Sequence, residues 1–123
     1  MSRDAALAAA AAHFDDGGFA RDLGRRVAIR SESQDPAQAG ALRAYVAEEL
    51  SASLAALGFA CELFDNPQQG TGCGPFLVAF RDEDPALPTV LMYGHGDVVR
   101  GQDAAWTRGN GPWTLTQDGG NLQ

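Results

Sequence analysis

Thr89-Val90-Leu91-Met92-Tyr93-Gly94-His95-Gly96-Asp97-Val98-Val99 is the most informative run in this chain. Its first half is unbroken apolar sequence rich in β-formers, the pattern of a strand covered on both faces. Its second half places a histidine between two glycines, which let the backbone turn and let a ligand come close. A buried strand that delivers a histidine at its carboxyl end belongs to the α/β class, because ligands of open α/β sheets collect at that edge. His95 and Asp97 are two residues apart, so in extended backbone their side chains point the same way.

Working outward, the preceding segments supply the rest of such a layer. Phe76-Leu77-Val78-Ala79-Phe80 is a second unbroken apolar run, again read as a strand covered on both faces. Phe59-Ala60-Cys61-Glu62-Leu63-Phe64 alternates in part and reads as an edge or half-exposed strand. Upstream lies the clearest helix. Asp35 is a good N-cap, Pro36 suits the first helical position, and Gln38 stands three residues after the cap as in a capping box. Leu42, Val46, Leu50, Leu54 and Leu57 then mark one face, and Gly58 supplies the stop. Arg81-Asp82-Glu83-Asp84-Pro85 reads as a solvated turn. The expected fold is α/β, with helices packed on a small mixed sheet.

The first third adds two more helices. One runs from Asp4 to about Phe14 through an alanine tract and ends at Asp15-Asp16-Gly17-Gly18. The other runs from about Phe19 to Ile29, with Phe19, Leu23 and Val27 as its apolar stripe and Arg21, Arg25, Arg26 and Arg30 mostly on a solvated face. Ala5 to Ala12 is too short to span a bilayer. Asp4 before it, and His13-Phe14-Asp15-Asp16 in place of a cleavage site, argue against a signal peptide.

Composition narrows the function classes. The 123 residues suit one ordinary domain, and their nine basic residues, all arginine, face sixteen acidic ones for a net charge of −7. No basic stripe is present for a phosphate backbone or an anionic membrane, so neither nucleic acid nor membrane is an expected partner. Cys61 and Cys73 lack C-x-x-C spacing and read as free thiols, Cys61 as a small buried hydrophobe. The expected location is cytoplasmic.

From Gly94 onward the chain reads as a coil of about thirty residues, a length more typical of a functional loop than of a simple connection. Within it, His95 and Asp97 carry the chemistry: a carboxylate beside a metal-bound imidazole fixes the ring and raises its basicity. One histidine and one aspartate are nevertheless fewer than the three protein ligands of a catalytic zinc. Trp106 and Trp113 read as packing residues that anchor the coil.

Taken together, Gly94-His95-Gly96-Asp97-Val98-Val99, Trp106, Pro112-Trp113-Thr114-Leu115 and Asp118-Gly119-Gly120-Asn121-Leu122 resemble the amino-terminal part of a metallopeptidase family. This family comprises acetylornithine deacetylases, succinyl-diaminopimelate desuccinylases, carboxypeptidase G and aminoacylases. The order of helices, the Ser31-Glu32-Ser33 loop, the long helix and the strands agrees, so the resemblance covers nearly the whole chain. It implies a hydrolase of amide or peptide bonds, acting on a small peptide or an N-acyl amino acid, with two zinc ions that acidify an attacking water. His95 matches the family's first metal ligand and Asp97 the carboxylate that accompanies it in catalysis; Ser31 to Ser33 fall where the family has a loop near the catalytic cleft, and no ligand role transfers to them, to Asp103 or to Asp118. Arg100 stands where proline is frequent, and Trp113 where phenylalanine is.

The bridging aspartate, the Glu-Glu pair, a further acidic ligand, the lid or dimerisation domain and a distant histidine have no counterpart in these residues. The expectation is therefore a partial catalytic domain over residues 1–123, inactive or nearly so alone and able to form a homodimer only with the missing domain. The alternative expectation is a non-enzymatic interaction module derived from such an enzyme, in which a partner covers the open sheet edge.

Overall fold

A computed structural model describes residues 2–68 and 73–123 and divides the chain into two compact units, one formed by Met1–Ala28 with Gln102–Gln123 and the other by Ile29–Gly101. No helix among the described residues is long and apolar enough to cross a membrane.

In the first unit, α1 (Arg3–Asp15) is capped by Ser2, whose Oγ accepts the Ala5 N–H at 3.2 Å. The turn into α2 (Gly18–Val27) occurs where the sequence breaks: Gly17 takes φ +77°, and a Cβ on Gly18 would collide with the His13 ring. The corner is tied mainly by polar groups. The Asp16 carboxylate accepts the Gly18 N–H at 2.8 Å, Arg21 donates to the Asp16 carbonyl at 2.8 Å, and His13 Nε2 lies 3.0 Å from Asp22. The Phe14 and Phe19 rings meet with centroids 5.8 Å apart. The same unit holds a short 3-10 turn (Asp103–Ala105) and a minimal antiparallel pair, β3 (Gln117–Asp118) and β4 (Asn121–Leu122). Gly119 and Gly120 both have positive φ, as a two-residue type I′ hairpin loop requires. The expected thirty-residue coil thus contains a hairpin, which the Asp-Gly-Gly-Asn sequence encodes locally.

In the second unit the helix expected from Asp35 to Gly58 is one helical run with three windings. A 3-10 turn (Pro36–Gln38), capped by Asp35 through the Ala37 N–H at 3.0 Å, leads into α3 (Ala39–Ala44), a π-helical turn (Tyr45–Leu50) and α4 (Ser51–Ala56). The sequence explains the π turn. Leu42, Val46, Leu50 and Leu54 repeat every four residues, and in a pure α-helix each repeat would drift by about 40°. A wider π turn takes up that excess and leaves these four half-buried, whereas Leu57, expected on the same face, is 60% exposed. At the end, Gly58 has φ +85° and donates to the Ala55 carbonyl at 2.9 Å, while Phe59 donates to Leu54 at 3.1 Å, the Schellman arrangement. Arg81 also caps this end, donating to the Leu57 carbonyl at 2.8 Å. The charged turn therefore has a structural role that its composition did not suggest.

The π turn and α4 pack on a hairpin of β1 (Ala60–Phe64) and β2 (Phe76–Phe80). The antiparallel register sets Cys61 opposite Ala79 and Leu63 opposite Leu77, and these four are half-buried. The opposite face carries Phe64, Phe76, Val78 and Phe80, which are 44–58% exposed.

Three expectations about the sheet are corrected. The described sheets are two separate antiparallel pairs rather than one mixed sheet. Thr89–Tyr93 is an unpaired segment instead of a buried strand, with Val90 78%, Leu91 95%, Met92 81% and Tyr93 91% exposed. β2 is likewise covered on one face only. Apolar, β-branched sequence records what a segment can pack against; a ladder additionally needs a neighbouring strand in register. What stands is the coarser architecture, helices with small sheets.

Candidate functional site

His95 and Asp97 lie in the loop that follows the exposed apolar segment. His95 Nδ1 is 3.1 Å from the Asp97 carbonyl oxygen and 3.3 Å from its carboxylate Oδ1, so the two side chains share one side of the backbone as their spacing predicts. Both oxygens accept, so a neutral ring must carry its proton on Nδ1 to satisfy them. Nε2 is then the nitrogen available to a ligand. The side chains are 68% and 47% exposed, which leaves the pair open to solvent and weak as an ion pair.

What fixes the loop is a short segment far away in sequence. Ser31 and Glu32, at 2% and 5% exposure, are the buried polar residues among those described. Ser31 Oγ donates to the Gly96 carbonyl at 2.6 Å, the peptide between His95 and Asp97. The Val98 N–H donates to the Ser31 carbonyl at 2.9 Å, and the Ser33 N–H to the Val98 carbonyl at 3.2 Å, which makes Glu32 and Val98 a parallel bridge. The Glu32 carboxylate accepts the Gly101 N–H at 2.7 Å and faces Arg30 at 3.5 Å, so its buried charge is both paired and hydrogen-bonded. On another side, a Cβ at Gly96 would run into the Tyr45 ring at the start of the π turn. Close approach, rather than a positive φ, is what requires glycine there.

The resemblance transfers no ligand role to Ser31–Ser33, and the sequence marks none of the three as a site residue. Their burial depends on residues 65 to 69 positions away, and no local pattern reports it. The other residues singled out play structural parts. Trp113 Nε1 donates to Asp103 at 3.2 Å and is half-buried, as expected of an anchor, whereas Trp106 is 45% exposed. Arg21 pairs with Asp16, Arg25 with Asp22 and Arg30 with Glu32. Arg100 reaches the Gln34 carbonyl at 3.5 Å. Cys61 and Cys73 are free thiols and half-buried, and the Cys61 Sγ lies 3.6 Å from the Ser51 carbonyl.

Among the described residues, no group of three or more histidine, cysteine, aspartate or glutamate side chains is arranged to hold a metal ion. The imidazole and carboxylate present suit one edge of a zinc site and fall short of the three ligands a catalytic zinc takes. No catalytic step is therefore assigned to a metal held by these residues alone. Comparison with known proteins gives no match: no family model, no curated protein and no solved structure aligns significantly with the chain.

Proposed function

We propose that this chain is the amino-terminal part of a metal-dependent hydrolase of amide or peptide bonds. The substrate class is a small peptide or an N-acyl amino acid, and the cofactor is zinc. In this reading His95 contributes one metal ligand through Nε2, and Asp97 holds the ring by accepting from Nδ1. The remaining ligands and the base have no match among these residues, so activity is expected of a longer protein that supplies them. The observation that carries the reading is the His95–Asp97 pair, in which one oriented carboxylate leaves the outer imidazole nitrogen for a ligand. Free Cys61 and Cys73 accord with a cytoplasmic location.

Two measurements test the proposal. The coding frame past Gln123 should continue into an aspartate able to bridge two metals and a Glu-Glu pair, and its product should hydrolyse a dipeptide or N-acyl amino acid in a chelator-sensitive way. A frame lacking those residues, or a longer product with no such activity, overturns it. In the longer protein, Asp97→Asn should weaken zinc binding about 10- to 100-fold, the range for losing a carboxylate behind a metal-bound histidine, and His95→Ala should weaken it further.

A second reading has its own support. Val90–Tyr93 and the outer face of β2 present apolar surface of the kind a partner chain covers. On that reading the chain is a non-enzymatic interaction module, and the purified 123-residue protein should associate or bind an apolar dye; a monomer without exposed apolar surface overturns it.

A further inference from the structure

We infer that Ser31 and Glu32 are positioning residues: they lock the 94–101 loop so that His95 is held as its Nδ1–H tautomer against Asp97. The consequence for metal binding rests on the hydrolase reading; the lock itself rests on geometry alone.

Three observations carry it. First, the hydroxyl of Ser31 is spent on one particular peptide. It donates at 2.6 Å to the carbonyl of Gly96, the single residue between the two site side chains, and so sets the plane on which both are mounted. Second, the loop is held on both sides of that peptide. The Glu32–Val98 bridge pins the backbone just after Asp97, and the Glu32 carboxylate holds the Gly101 N–H at 2.7 Å. Third, the anchors are buried although the site is not. Ser31 and Glu32 are at most 5% exposed, whereas the His95 and Asp97 side chains are 68% and 47% exposed. An exposed pair of this kind is worth little by itself. Its arrangement must be imposed from beneath, and the buried Ser31-Glu32 segment is what lies bonded to it.

A free imidazole prefers its proton on Nε2, so the Nδ1–H form reports the Asp97 contact directly. In that form Nε2 keeps its lone pair for a cation, which is the property the hydrolase reading needs. Losing the Ser31 hydroxyl leaves the Gly96 carbonyl without its donor and frees the peptide to rotate. The backbone bridge alone does not fix that plane, because it acts one residue further on.

The test uses the full chain and nitrogen NMR of the His95 ring at a pH where it is neutral, together with amide exchange. Wild type should show mainly the Nδ1–H tautomer, with Val98 and Gly101 amides protected. Ser31→Ala should shift the ring to mainly Nε2–H and speed Val98 exchange about tenfold, the equivalent of one hydrogen bond. Ser31→Thr, which keeps the hydroxyl, should restore both. Glu32→Ala should lose Gly101 protection, while Glu32→Gln, which keeps the acceptor and the volume, should retain it. Protection of the β1–β2 hairpin amides reports that each variant still folds. Should Ser31→Ala or Glu32→Ala fold and leave tautomer and exchange as in wild type, the inference is overturned. A wild-type ring already in the Nε2–H form overturns it as well.

Zinc titration of the longer product, carrying the same Ser31 substitutions, separates the two ideas. If zinc leaves the His95 resonances of the longer enzyme unmoved while the tautomer responds to Ser31, the lock stands and the hydrolase reading falls. If zinc binds through His95 and the tautomer ignores Ser31, the reverse holds.

Discussion

Asp22 sits between a guanidinium and an imidazole. The hydrogen bond from Arg25 holds its carboxyl below the usual carboxylate range, with burial opposing and His13 adding to the effect. A carboxylate whose pKa is lowered by folding stabilises the folded form above its unfolded pKa, and that contribution is lost as pH falls through the lowered value. Asp22→Asn should therefore make the α1–α2 corner less acid-sensitive, with the difference from wild type vanishing at the acid end of a circular dichroism titration. Equal acid midpoints in the two proteins would contradict the assignment. Gly96 offers a steric test. Gly96→Ala pushes a methyl into the Tyr45 ring and should cost about 1–3 kcal/mol, the range for overpacking. The double variant with Tyr45→Ala should be more stable than the sum of the two single costs, as a denaturation cycle would show. Legibility at this scale was uneven. The same-side placement of His95 and Asp97 followed from their spacing of two residues, whereas the roles of Ser31 and Glu32 emerged only from contacts across the chain.

At the scale of elements, the helices were the most legible because their determinants are local. Asp35 caps where a short polar residue precedes a helical run, and Gly58 stops where a positive φ is needed. The π turn was missed, although its cause, an apolar repeat of four, was in view. For the strands, apolar sequence predicted the segments of β1 and β2 correctly and Thr89–Tyr93 incorrectly, because pairing depends on partners that composition does not name. The exposed segment has its own consequence. Leu91 is 95% exposed, so Leu91→Lys should change stability by less than about 0.5 kcal/mol. The same substitution should lower binding of an apolar dye and reduce concentration-dependent association, because an unpaired apolar run is a template for strand addition. A large loss of stability in Leu91→Lys would mean that the segment is buried in solution.

For the whole molecule, the two units differ in how they are assembled. The second is continuous from Ile29 to Gly101, while the first joins the two ends of the chain. No hydrophobic residue among those described is fully buried, so packing rests on half-buried contacts such as the helix stripe over β1 and β2. Hydrogen exchange should therefore be slowest in the 36–64 and 76–80 segments and fastest across 86–94; uniform protection along the chain would contradict this arrangement. The sequence by itself determined the helices, the Asp35 cap, the Gly58 stop and the common side of His95 and Asp97, because each depends on spacing over a few residues. Only the tertiary structure decided which strands pair, which face of β2 is covered and which buried residues hold the site loop. Those outcomes depend on neighbours tens of residues away, brought together by chain packing.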